Sequence, residues 1–427
     1  MDNLSHSLVG LAVGELLHRC LPQETTAENA LTRRRLLLIA GALASNFPDL
    51  DLLLTPLLQN PLGYLLHHRG HTHTLLFLIP QAFLLCTMLW LAWPSARRLL
   101  RASPSTRTGL CLTILVGLLL HLAMDALNSY GIHPFHPFDS SWYYTDLVFV
   151  VEPLFWVVFG IPLAVMVARR SFRIALLVML VALVLLVASA GFLTWEAFAV
   201  LMGLALILGA LAKRSGPRES QGLLASFGAI LSFIGIQAYT AAIASDSVRA
   251  ELRSQNPSAR ILDTALTAFP SHPLCWAFVS IETDASANIY TLKRGVLSLA
   301  PSLVPVAACA VGFSEGYILR SETSGIAWIS QAHARVDALR QLQRENCHFD
   351  AWLRFARAPL LEANAASDLR YATALRGNFS TFNRQLFADR ACPRWVPGWD
   401  YPRADLLKPG SSNAAPGGEP AAHRLAP

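Results

Sequence analysis

The sequence predicts a mostly α-helical protein: a polytopic membrane bundle of about eight helices followed by a smaller soluble α+β domain. Three observations predict it. Of the 427 residues 53% are hydrophobic and only 15% are charged, against about 25% charged in an ordinary soluble domain. The apolar residues gather in the first 245 positions as recurrent runs, each near the ~20 residues that span a bilayer. Beyond Ala244 the runs give way to mixed sequence with scattered Pro, Trp and Arg.

Two short apolar stretches open the chain, Leu4–Cys20 and Leu36–Phe47, and both are short enough to be re-entrant. Longer spans are expected at Leu75–Trp93, Gly109–Leu127, Leu147–Ala168, Ile174–Leu193, Trp195–Ala212 and Leu223–Ala244. No basic segment precedes the first run, so it does not read as a cleavable signal peptide. In the soluble part Cys275–Thr283 and Asn288–Leu299 read as strands of a hairpin turning across Asp284–Ala287. Ala332–Gln343 reads as a polar helix and Leu369–Leu375 as a further strand. The apolar run Leu299–Phe313 is interrupted by Pro301 and Pro305 and is short for a span. The Gly/Pro/Ala/Ser-rich end reads as disordered. The expected domains are therefore 1–245 (membrane), 246–407 (soluble) and 408–427 (tail).

None of the seven cysteines is in a C-x-x-C pair. Cys86 and Cys111 lie in apolar runs and read as packing residues. Cys275, Cys309, Cys347 and Cys392 fall in the soluble part, where an oxidising compartment would let them pair in a connectivity the sequence leaves open. The net charge of +6 rests on arginines in short loops, which points to membrane topology and away from nucleic acid. Arg33–Arg35, Arg97/Arg98/Arg101/Arg107, Arg169/Arg170/Arg173 and Lys213/Arg214/Arg218 all fall on one side if eight segments span. That side is the cytoplasm. The opposite, periplasmic side then receives the start of the first helix, the loops 46–73 and 128–146, and the soluble domain.

The chemistry-bearing residues collect on that opposite side. Asp2 and His6 open the first helix. Asp49 and Asp51 follow Pro48, which ends a helical pattern. His67, His68, His71 and His73 surround Gly70 ahead of the next span. His121 and Asp125 stand four residues apart in the last turns of a spanning helix, on one face of it, and Asn128 continues the stripe. Each patch has an ordinary explanation alone: acids in turns, a polar interfacial loop, a hydrogen bond between helices. Ionisable groups are costly inside a membrane, and the four patches map to one face. Imidazole with carboxylate is a donor set for divalent metals. His133 and His136 sit in a Pro- and Phe-rich loop and read as interfacial, as do Trp142, Tyr143 and Tyr144. Glu152 either completes the site or meets a buried cation.

At these residues the chain resembles the YdjM-like family of bacterial inner-membrane proteins, described as metal-dependent hydrolases. The family pattern is D-x-x-T-H, P-D-x-D, H-R-G-x-T-H, H-x-x-x-D-x-x-N and an acid near the next helix. It matches Asp2/His6, Asp49/Asp51, His68/Arg69/Gly70/His73, His121/Asp125/Asn128, and Asp146 with Glu152. Ser5 stands where Thr is usual, and Glu152 where Asp is usual. The likeness covers about residues 1–160 and fades thereafter; Phe269–Trp276 again looks like a Pro-rich lead found in longer members. It implies a bacterial inner-membrane enzyme with some likeness to zinc phospholipase C and nuclease sites.

The expected function is therefore metal-dependent hydrolysis. The expected ligands are His6, Asp49, Asp51, His68, His73, His121 and Asp125, around one or two zinc-like divalent ions. Asp51 or Asp125 would accept the proton of a metal-activated water, and Arg69 would neutralise an anionic oxygen. The substrate would be a phosphoester or lipid-like ester at the membrane face. The alternative is a non-enzymatic metal-binding protein or transporter, against which the nearly featureless helices 174–193 and 195–212 argue.

Overall fold

The computed structural model describes residues 1–214, 220–309, 321–323, 325–371 and 378–408. Ten helices form the first part. They are α1 (Asn3–Cys20), α2 (Ala27–Ala44), α3 (Leu62–His67), α4 (Leu75–Ala92), α5 (Pro94–Ala102), α6 (Pro104–Ala126), α7 (Pro153–Val165), α8 (Arg170–Ser189), α9 (Trp195–Arg214) and α10 (Gln221–Gln255). Among the described residues six segments are long and apolar enough to cross a membrane. The first of these joins α2 to the 3-10 helix Phe47–Leu57. Neither α1 nor α7 is in that group.

Small residues bring α1 against α2. A Cβ added to Gly10 would lie 2.2 Å from the Gly41 carbonyl oxygen, and one on Gly14 would lie 2.3 Å from that of Leu37. Backbones this close leave van der Waals contact as the binding force, as small residues do in membrane bundles. At one end of the pair Arg34 meets Glu15 at 2.7 Å and Arg33 meets Glu24 at 3.1 Å. At the other end lie His6 and the 3-10 helix. Pro48 sits at the start of that helix, which buries Asp49 and Asp51 and exposes Leu50, Leu53 and Leu57.

The span expected over Leu147–Ala168 is shorter than the apolar run. Glu152 caps α7 by accepting from Leu154 N (3.2 Å), so the helix starts at Pro153 and has 13 residues. It is apolar all round, and every face is buried among α1, α8, α9 and α10, the environment such a helix requires. Cys111 is exposed on α6 rather than packed, and Cys86 is half-buried.

α10 continues past the expected boundary at 245, and Val248 and Leu252 on its last turns pack under a sheet. The strands are β1 (Arg260–Phe269), β2 (His272–Asp284), β3 (Ile289–Ser298), β4 (Ser321–Thr323) and β5 (Ile326–Arg335), antiparallel in the order β1-β2-β3-β5-β4. The expected hairpin is β2–β3, closing at Asp284↔Ile289. The helix expected from Ala332 starts later, because β5 pairs with β3 as far as Arg335. Sheet pairing takes Ala332–Arg335, and α11 is Val336–Glu345. Next come α12 (Cys347–Leu353), a small sheet of β6 (Pro359–Leu361), β7 (Ala365–Asp368) and β8 (Phe382–Asn383), and α13 (Ala404–Leu407). Of the strand expected at Leu369–Leu375, Leu369–Tyr371 is a 3-10 turn and the rest lies outside the described residues, as does the tail from Pro409. Disulfides join Cys275 to Cys309 and Cys347 to Cys392.

The two parts share one core. Leu62, Leu65 and Leu66 of α3 and Tyr130 pack with Ile281, Trp352, Phe355 and Trp399. Arg357 fastens the junction, donating to Asp146 (2.9 and 3.0 Å) and Asp263 (2.7 and 3.1 Å). Glu152 neither completes the metal-ligand cluster nor meets a cation. It is wholly buried and accepts from Ser271 N (3.0 Å) and Ser271 Oγ, tying the start of α7 to the β1–β2 turn. Burial pushes its carboxyl up to about 7, against the hydrogen bonds that favour its charge. The folded protein keeps this proton while the unfolded chain ionises above about 4.3. Stability is therefore greatest below that value, falls as pH rises towards 7, and then levels. Glu152→Gln is expected to flatten this fall and to raise Tm at pH 8. Thermal unfolding at pH 5 and pH 8 measures it, and an unchanged pH profile would contradict the assignment.

Candidate metal centre

Four side chains from three elements converge where α6, the 3-10 helix and the turn His71–His73 meet. His73 Nε2 lies 3.0 Å from His121 Nε2, 3.3 Å from Asp125 Oδ2 and 3.5 Å from Asp49 Oδ1. His121 Nε2 lies 3.6 Å from each of those carboxylate oxygens. A tetrahedron with arms of about 2.0–2.1 Å, the Zn–N and Zn–O lengths, has edges of about 3.3 Å. The four groups Asp49, His73, His121 and Asp125 could therefore hold a metal ion.

Outer partners fix which imidazole nitrogens face inward. His121 Nδ1 stands 2.7 Å from the Ser45 carbonyl, an acceptor, so Nδ1 carries the proton. His73 Nδ1 stands 3.1 Å from Asp51 Oδ2 and is protonated for the same reason. Neutral rings held this way aim two Nε2 lone pairs at each other across 3.0 Å. Asp49 Oδ1, buried without a hydrogen bond, and Asp125 Oδ2, ion-paired with Arg69, join them. Such an arrangement is repulsive until a cation, proton or metal, sits among the four. His73 registers this. Burial alone would lower its pKa, but the carboxylates of Asp125, Asp49 and Asp51 hold it up to about 10.

Asp51, expected among the ligands, lies beside these four groups. It accepts from Arg69 N (2.8 Å) and Thr72 Oγ1 (2.9 Å) and faces His68 Nδ1 and His73 Nδ1 (both 3.1 Å). With Asp49 and His68 it forms a second group of metal-ligand type sharing Asp49 with the first. Arg69 adopts a left-handed backbone (φ 57°), a costly conformation for a non-glycine residue. Its Nε lies 3.0 Å from Asp125 Oδ2, its NH1 donates to Asn128 Oδ1 (2.8 Å), and its guanidinium stands over Tyr130 (5.0 Å). His6 stacks on His121 (4.1 Å between ring centres), with Nε2 3.2 Å from Asp125 Oδ1. The Met1 amino group touches the same oxygen.

His133 and His136 stand apart from this cluster. With His71 they surround Trp399, on which His133 stacks at 3.8 Å. Sequence reasoning missed Thr72, although its place between two histidines was a signal. It also missed Ser45, which acts through its carbonyl and so leaves no trace in residue type.

A family model described as YdjM inner membrane protein matches residues 1–195, and these include every residue of the cluster. An uncharacterized protein, YfhP of Bacillus subtilis (strain 168), is 27% identical over 157 residues, 37% of this chain. The alignment spans 43% of the YfhP chain. No solved structure matches. Residues 1–195, a region of apolar membrane helices, are thus similar to the family described as YdjM inner membrane protein, and the match spans a little under half of the chain.

Proposed function

We propose that the chain is a membrane-bound, metal-dependent hydrolase whose centre is held by Asp49, His73, His121 and Asp125. The observation that carries this is the convergence of two oriented Nε2 lone pairs with two buried carboxylate oxygens, Asp49 Oδ1, which has no hydrogen bond, and Asp125 Oδ2, which is ion-paired with Arg69. Nitrogen and oxygen donors at these separations suit zinc. One ion accounts for the cluster, because Asp51 is already engaged by four partners and acts as a positioning residue. A bound zinc supplies Lewis acidity and a water acidified to a pKa of about 7.

The remaining roles fall to the surrounding side chains. His68 Nδ1 is held by Asp51, which leaves Nε2 as its free nitrogen, and His68 lines the adjacent cavity. A proton can therefore be taken or returned at His68 Nε2, the carboxylate–imidazole logic of a catalytic triad. This assigns to His68 the proton transfer expected of Asp51 or Asp125. Arg69 also lines that cavity, where its charge would meet a substrate oxygen. His6 backs Asp125 and His121. The site is read as periplasmic because the arginine-rich ends lie at the opposite end of α1 and α2, and two disulfides suit an oxidising compartment.

Zinc titration of metal-free protein tests the proposal. One ion should bind per chain. Since His73 holds a proton through neutral pH, binding at pH 7 should release about one proton, read calorimetrically in buffers of different ionisation enthalpy. Hydrolysis of p-nitrophenyl phosphate or acetate should follow zinc occupancy and stop with chelator. Protein that binds no zinc removes the centre. Protein that binds zinc and hydrolyses neither a phosphate nor a carboxylate ester supports the non-enzymatic alternative.

A further inference from the structure

A cavity of about 460 Å³ lies between the metal-ligand cluster and the sheet. His68, Arg69 and Asn128 form its inner wall, next to Asp51 and Asp125. Its far wall is apolar and comes from the second half of the chain, with Leu266, Ala277, Phe278 and Val279 of β1 and β2. Two more arginines, Arg294 of β3 and Arg370, also line it. Both are buried, and their exposures are 5% and 8%. Asn128 is buried too, and its Nδ2 donor has no hydrogen-bond partner. A space of this size, mostly apolar with a few converging polar groups, is the form of a small-molecule site.

The mouth has its own character. Tyr64 and Phe379 line this cavity and also a second one, formed with Thr55 and Pro61. Thr55 belongs to the 3-10 helix whose Leu53 and Leu57 are exposed, at 77% and 53%. An apolar tail leaving past Tyr64 and Phe379 would meet the flank of a helix at the membrane face.

We propose that this cavity binds a single-chain anionic amphiphile, with its phosphoryl or carboxyl head at Arg69 and His68 and its aliphatic chain along β2 towards Tyr64 and Phe379. The proposal rests on the hydrolase reading for what happens to the head group, but binding itself is independent of turnover. Arg69 and the unused Asn128 amide donor favour an anionic head, while Arg370 is held by Asp368 and Asp146 also lines the cavity. The apolar wall selects a chain. The charged head reaches the metal-ligand cluster while the tail keeps one end in the bilayer.

The test is calorimetric binding of alkylphosphonates, from ethyl to decyl, to the full chain in a neutral maltoside detergent, with and without zinc. Phosphonates resist hydrolysis, so affinity is read without turnover. Affinity should rise by about fourfold per added methylene over the first several carbons, the gain from burying ~0.8 kcal/mol of CH2. Alkyltrimethylammonium ions of equal length should not bind. Ala277→Trp and Thr267→Trp, which fill the cavity from adjacent strands, should each remove the chain-length gain with zinc content retained as the sign of folding. The same gain should persist, at weaker overall affinity, in metal-free protein. Equal affinity for ethyl- and octylphosphonate would overturn the proposal. So would unaltered binding in both tryptophan variants, or equal binding of the cations. Failure of zinc to bind, with the chain-length gain intact, would instead strike the metal centre and leave the amphiphile site standing.

Discussion

His121→Ala is expected to empty the metal centre. The purified variant should carry no stoichiometric zinc and lose at least about a thousandfold in zinc-dependent hydrolysis, since the acidified water goes with the ion. The effect should be this large because His121 contributes an inward nitrogen that no neighbour can replace. His73 points its own Nε2 from the opposite side, and His6 is turned towards Asp125 Oδ1. Asp51→Asn provides the contrast. Its oxygens accept from Arg69 N and Thr72 Oγ1 while orienting His68 and His73, so an amide there leaves a donor facing a donor. Losses of outer partners of this kind weaken metal binding by about 10–100-fold and leave the site in being. Elemental analysis after dialysis, with competition against a chromogenic chelator, separates the two. If His121→Ala keeps its zinc, the four-residue centre is wrong.

The membrane part was legible because its information is local. Hydropathy runs placed α4, α6, α8 and α9 within a few residues, and the four-residue spacing of His121 and Asp125 put both on one face of α6. The start of α7 was misjudged by hydropathy because Leu147–Val151 is apolar without being helical: Leu147 N and Val148 N donate to the Leu127 carbonyl instead. The 3-10 helix that contains Pro48 buries both Asp49 and Asp51, which their spacing alone does not reveal. Contributions from the second half of the chain were illegible. Arg370 comes close to Ser129 through a turn more than 200 residues away in sequence, and Arg294 lines the cavity because of its register on β3. Neither has a periodic neighbour that marks it. Glu152 looked like part of the cluster by family pattern, yet its partner is the backbone and hydroxyl of Ser271, set by the fold of the β1–β2 turn.

His68→Ala is expected to separate chemistry from metal binding. If His68 moves the proton and Asp49, His73, His121 and Asp125 hold the ion, the variant retains its zinc. KM stays within a few-fold, and kcat falls by about 10²–10⁴, the usual contribution of a positioned acid or base. Added imidazole should restore part of that loss, because the deleted ring opens directly onto the cavity. A ligand role predicts otherwise. Asp49, Asp51 and His68 form a second group of metal-ligand type, and if that group were the functional one, zinc would leave with the imidazole. Asp51 argues against that outcome. Its Oδ2 already meets Arg69 N, Thr72 Oγ1 and His73 Nδ1, and its Oδ1 meets His68 Nδ1, so an ion at Asp51 would crowd the contact that holds the His68 ring. That Oδ1 contact makes Asp51 an effective anchor, since it fixes the His68 ring and leaves Nε2 as the nitrogen open to a substrate.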